Sequence, residues 1–197
     1  MLYKSKDLLH QKTFRVLLQA MCHPGEIQTL PNPHAEDQPP HPLLQVAGAI
    51  LDHEVTHYVI DGVQENSMLE QGIQHDTKSL CGLPEQADFI FIPDGNSNGH
   101  ILKARRGSPE YPDTSATIVY GVRSLTAHTD GQPLGYMKGP GIRERVALPP
   151  ITGLDRAEIL QLIEVNKNYP LGVDAIFVDK KGKVLAIPRS TSIEMTE

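Results

Sequence analysis

Residues 53–57 read His-Glu-Val-Thr-His. On a helix, His53 and His57 would present both imidazoles on one side. Glu54 between them would reach a metal-bound water as general base, the arrangement of zinc hydrolases. Leu44, Ala47, Leu51, Val55 and Tyr58 could even carry one helical stripe through the motif. The local composition argues otherwise. The run from Val55 to Ile60 is β-branched or aromatic at nearly every position, which suits a strand. On a strand, residues four apart stand about 13 Å from each other, too far to share one zinc ion without a bend. Ile60 stands where the longer zincin pattern needs glycine, and spacing does not single out Glu65, Glu70 or Glu85 as a third ligand. The expectation is a helix end at Leu51-Asp52 and a strand from Val55. The alternative is a zinc-dependent hydrolase built on His53, Glu54 and His57.

Three basic loops could grip an oxyanion through guanidinium and backbone N–H groups. Arg105-Arg106-Gly-Ser precedes a cluster of hydroxyls and a strand. Lys138, Arg143 and Arg145 surround Gly139-Pro140-Gly141, which lacks the Walker A ending and reads first as a chain reversal between strands. Arg189 is followed by Ser-Thr-Ser. Arg105, Arg106 and Arg189 are the candidate anion or partner contacts, against the ordinary readings of a solvated turn for Arg105 and Arg106 and of a plain C-terminal tail after Arg189. No G-x-S-x-G elbow occurs. Cys22 beside His23 is assigned to packing, since adjacent residues at a helix end do not face each other. No catalytic residue is assigned.

These residues must be held by a chain of 197 residues with a net charge of −6. The length suggests one domain, 1–197, able to bury about two thirds of its unfolded surface. The negative charge argues against nucleic-acid binding, which needs clustered Lys and Arg. No apolar run approaches the roughly 20 residues of a membrane span, and the N-terminus lacks the pattern of a signal peptide. Two cysteines, Cys22 and Cys81, are too few for a disulfide framework and read as free thiols of a reducing cytoplasm, although one bridge stays open. No cofactor is expected.

Periodicity supplies the elements. Phe14, Leu17, Leu18 and Met21 predict a helix with that stripe facing the core, stopped by Pro24-Gly25. Residues 31–42 are a Pro-rich loop in which His34 and His41 read as solvated. Helices are predicted over 43–51 and over 64–74, the latter with Asn66 or Ser67 as N-cap. Strands are predicted at 88–92 and 115–122, and around a glycine-rich break at 134–138 and 145–148. Asp155 caps the strongest helix, with Ile159, Leu162, Ile163 and Asn166 on one face. Residues 173–189 predict a β-hairpin turning at Lys180 to Lys183. Strands and helices mixed along the whole length predict an α/β sandwich: a mixed sheet with helices packed on it.

Several stretches together resemble the PhnH family, a subunit of the bacterial carbon–phosphorus lyase machinery. TFRVLLQAMCHPGEI is similar to the family's opening helix and Pro-Gly turn. HDTKSLCGLPEQADFIFI matches its centre, notably His75 and the run from Pro84 to Ala87. YPDTSATIV and GPGI match its mid-chain turns, and YPLGVDAIF with AIPRSTSIE its C-terminal signature. The matches keep the family's order from residue 14 to 194. The resemblance implies a three-layer α/β/α fold like the large domain of PLP-dependent transferases, without the cofactor. It implies a homodimer when isolated and, in cells, membership of a core assembly with the G, I and J subunits of phosphonate metabolism. That assembly transfers alkylphosphonate to the ribose of ATP, giving ribose 1-alkylphosphonate 5-triphosphate. Within it the resemblance gives this subunit no catalytic residues. It also places His53 in a turn and His57 on a strand.

Overall fold

A computed structural model describes residues 2–32, 41–60, 64–126 and 133–196, with side chains described for 6–32, 41–60, 68–126 and 133–196. Helix α1 (Leu2–Cys22) leads into β1 (Gln28–Thr29), α2 (Pro42–Ile50), β2 (Thr56–Val59), α3 (Gln64–Thr77), β3 (Leu80–Cys81) and β4 (Phe89–Ile92). Two 3-10 turns, at His100–Lys103 and Pro112–Thr114, precede β5 (Thr117–Val122), β6 (Ser124–Leu125), β7 (Gly135–Lys138), β8 (Val146–Ala147) and β9 (Ile151–Thr152). Helix α4 (Arg156–Val165) and strands β10 (Asp174–Asp179), β11 (Lys183–Ile187) and β12 (Ser192–Met195) follow.

Among the described residues, seven strands form the main sheet in the order β1-β11-β10-β5-β4-β2-β3. The five from β10 to β3 run parallel, and β11 runs antiparallel to both neighbours, so the sheet is mixed. Strand alternation sorts the core into two faces. Ile176 and Val178 of β10 join Val59, Phe91 and Val119 against α1, α2 and α3. Ala175 and Phe177 join Ile90, Ile118 and Tyr120 against α4. A three-stranded sheet, β12-β7-β8, and a two-stranded one, β6-β9, complete the fold.

The buried stripe of α1 differs from the predicted one. Phe14 and Leu18 are half exposed, while Thr13, Leu17 and Ala20 are buried. Thr13 faces α2. Gln45 of α2, itself buried, donates to Thr13 Oγ1 (3.0 Å) and to the Pro31 carbonyl (2.8 Å). A Cβ on Gly48 would stand 2.7 Å from His10 Nε2, so the helices meet where a side chain is missing. Three further expectations are corrected. Helix α3 begins at Gln64, so its backbone passes through Asn66 and Ser67 and neither is the N-cap. Asn166 ends α4 instead of lying on its face, exchanging hydrogen bonds with the Val173 backbone (2.7 and 3.0 Å). The segment after Arg189 is strand β12, paired antiparallel with β7, not a tail. His34 lies outside the described residues. His41 is exposed immediately before α2, whose first residue is Pro42.

The hairpin forms where expected and has an anchor the sequence reading did not assign. Asp179 is buried, and its carboxylate accepts from the backbone of Lys181 (2.8 Å), Lys183 (2.9 Å) and Leu125 (3.1 Å). It fixes the β10–β11 turn and ties β6 to it.

Candidate functional site

The predicted motif residues do not form a helical metal face. Asp52, His53 and Glu54 lie exposed after α2, whereas His57 is on β2 with its ring fully buried. His57 Nδ1 shares a hydrogen bond with Ser79 Oγ (2.8 Å), and Ser79 shares one with Thr77 Oγ1 (2.8 Å). Thr77 in turn donates to the Ile73 carbonyl at the end of α3 (2.8 Å). Burial lowers the His57 pKa, opposed by the Glu70 carboxylate. Glu70 accepts from the thiol of Cys81 (2.9 Å), the residue paired with His57 on the neighbouring strand. Among the described residues, no three His, Cys, Asp or Glu side chains converge as metal ligands. Cys22 and Cys81 are both exposed and neither is in a disulfide, so Cys22 is not the packing residue predicted.

The candidate arginines occupy the amino ends of the parallel strands, where β4, β5 and β10 start in register at Phe89, Thr117 and Asp174. Arg105 ion-pairs with Asp88, just before β4. The Asp88 carboxylate also accepts from Thr56 N and Oγ1, both at 2.8 Å. Burial pushes the Asp88 pKa up, but the two Thr56 donors and Arg105 outweigh it and hold it below the usual carboxylate range. Arg189 donates to the Pro112 carbonyl and to Ser115 Oγ, and lies 3.7 Å from the Asp174 carboxylate. Arg106 donates to the Leu102 carbonyl (2.9 Å). Arg105 and Arg189 therefore staple the segment 105–116 to different strands and do not converge on one site. In open parallel sheets ligands bind at the opposite, carboxyl end of the strands. Arg189 does line one side of a cleft of about 450 Å³, bounded by the end of α4, Tyr169 and Ser190 to Ile193.

Sequence reasoning missed a buried carboxylate. Glu158 on α4 accepts from Ser97 N (2.8 Å), Ser97 Oγ (2.9 Å) and Tyr120 OH (2.8 Å), with all three residues buried. Burial first, and then the Glu158 carboxylate, push the Tyr120 pKa well up. The phenol thus stays a donor, and its ring stacks on Phe177 at 5.0 Å. The signal was available: Glu158 falls one turn before Leu162 on the apolar face of α4, where an acid requires partners.

The third basic loop is arranged differently from the other two. Lys138, Arg143 and Arg145 line an open cleft of about 510 Å³ over the three-stranded sheet. Arg145 lies 3.8 Å above the Tyr136 ring and 3.4 Å from Glu194.

The family model of the bacterial phosphonate metabolism protein PhnH matches residues 3–194 of this chain. The chain is 29% identical to the protein named alpha-D-ribose 1-methylphosphonate 5-triphosphate synthase subunit PhnH of Rhizobium meliloti strain 1021, over 93% of this chain and 90% of the relative. It is also 29% identical to HtxG of Stutzerimonas stutzeri, provisionally described as a C-P lyase subunit protein, over 94% of this chain and 86% of the relative.

Proposed function

Because the chain belongs to the PhnH family of bacterial phosphonate metabolism proteins, we propose that it is a non-catalytic, assembly-forming subunit of the carbon–phosphorus lyase system. In this reading it supports transfer of an alkylphosphonate to the ribose of ATP, giving ribose 1-alkylphosphonate 5-triphosphate. The chemistry belongs to its partners, the G, I and J subunits. The observation that carries the reading is the match over nearly the whole chain to a relative named as a subunit of that synthase. The geometry is in keeping with it. Of the candidate metal and anion ligands, His57, Arg105 and Arg189 are each engaged within the fold, and His53 and Glu54 lie exposed in a turn apart from the buried His57.

We further propose a cytoplasmic homodimer when the chain is isolated, with a fold like the large domain of PLP-dependent transferases and no cofactor. Helices on both faces of a mostly parallel sheet support the fold comparison. Among the described residues no helix is long and apolar enough to cross a membrane. Apolar surface for partner contacts is present at Phe14 and Leu18 on α1, and at Leu80 and Leu83 beside the β3 sheet edge.

Co-expression with the G, I and J subunits tests the proposal. The chain is expected to co-purify with them, and the synthase activity of the assembly to depend on it. A complete assembly with full activity in its absence sinks the proposal.

A further inference from the structure

The cleft over β7, β8 and β12 has the chemistry of an anion site. Met137 of β7 is wholly buried, so alternation turns Tyr136 and Lys138 outward. The loop from Gly139 to Arg145 returns the chain to β8 and is pressed against its surroundings. Gly141 adopts a left-handed φ of 82°, and a Cβ there would stand 2.3 Å from the Cys22 carbonyl at the end of α1. A Cβ on Gly139 would meet the Ser190 carbonyl at 2.8 Å. Three cations thus project from a braced support into one concavity.

They differ in how far the fold uses them. Arg145 is oriented by the Tyr136 ring and Glu194. Lys138 and Arg143, both exposed, have no hydrogen-bond or ion-pair partner for their charged ends among the described residues. This is the opposite of Arg105 and Arg189. Glu144 also lines the cleft, so the cations exceed the carboxylates, three to two. The volume falls in the range of small-molecule sites, and Ile142 adds an apolar wall. Planar guanidinium groups and an ammonium around one concavity suit a tetrahedral oxyanion, which accepts both forked and single donors.

We propose that this cleft binds a small phosphate- or phosphonate-bearing anion through Lys138, Arg143 and Arg145. Anion binding follows from the geometry; the preference for a phosphonate rests on the family reading above. A concave pocket of this size favours a compact ligand over an acidic protein segment, which would need an extended basic surface.

Calorimetric titration of the full chain with methylphosphonate, inorganic phosphate and ATP, at fixed low ionic strength, tests this. Saturable binding of at least one is expected, and the strongest of the three identifies the ligand source. Lys138→Ala and Arg143→Ala should each weaken it about tenfold, while Lys103→Ala, at an exposed lysine outside the cleft, leaves it unchanged. Glu144→Gln should tighten it, a gain that misfolding cannot mimic. Saturable binding of none of the three overturns the proposal. So does binding that Lys138→Ala and Arg143→Ala leave unchanged, or saturation by an acidic peptide alone. The subunit reading is scored separately by co-purification. A chain that assembles but binds no anion sinks this site only, and one that binds but does not assemble sinks that reading only.

Discussion

Glu158 and His57 show two ways of burying a titratable group. Glu158 has three donors from a strand and a loop, so the cost of dehydrating a carboxylate is offset by charge-assisted bonds. Replacing it by alanine leaves Ser97 and Tyr120 with buried, unmatched donors. A loss of about 3–5 kcal/mol is expected in urea denaturation, whereas Tyr120→Phe, which leaves Glu158 two donors, costs about 1–2 kcal/mol. Equal losses for the two variants would show that the network is not centred on the carboxylate. His57 is accommodated instead as a neutral ring. Its folded pKa lies below the ordinary 6.5, so as pH falls below about 6.5 the unfolded chain takes up a proton that the folded chain refuses. Stability is therefore full above that pH and declines below it, towards the lowered folded value. His10, also lowered by burial and by Lys6, contributes in the same window, so His57→Gln should flatten only part of the decline. The Asp88 contribution is separate. Its pKa lies below the ordinary 3.8, and its stabilisation fades only as pH drops through that range. Stability measured from pH 8 to pH 3 should accordingly fall in two stages.

At the scale of elements, much was legible and the errors have a common cause. β-branched composition placed His57 on a strand, Asp155 capped α4 and accepts from Ala157 N (2.9 Å), and the terminal hairpin formed as predicted. Those features depend on residues close in sequence. The stripe of α1 was misread because periodicity selects the largest apolar residues, while packing buried the face of Thr13, Leu17 and Ala20, on which Thr13 meets Gln45 of α2. The arginines could not be sorted either, since Arg105 pairs across 17 residues with Asp88 and Arg189 bonds across 74 to Ser115. Strand β12 was missed because its partner β7 lies more than 50 residues away. The α1 arrangement makes a testable contrast. Ala20→Leu should destabilise by about 1–3 kcal/mol through overpacking of a fully buried site. Phe14→Ser with Leu18→Ser should leave thermal stability nearly unchanged. If α1 meets a partner, this pair lowers co-purification with the other subunits; unchanged recovery would move the contact to the β3 edge.

For the whole molecule, the strand order carries a kinetic consequence. β1 near the start of the chain is hydrogen-bonded to β11, with Gln28 facing Val184, and the central pair β5 and β10 is itself separated by more than 50 residues. Such pairings require large loops to close before they return any stabilisation, and chains dominated by them fold slowly. Refolding from urea is expected on a timescale of milliseconds to seconds or longer. Thr29→Pro at β1 should speed unfolding more than it slows folding if this outer pairing forms after the transition state. A chain waiting for its first strand to find its eleventh leaves the flank of β11 unpaired meanwhile. Crowded synthesis would then favour mispairing between copies, so yield on overexpression would be governed by the time taken to close that seam more than by the stability reached once it has closed.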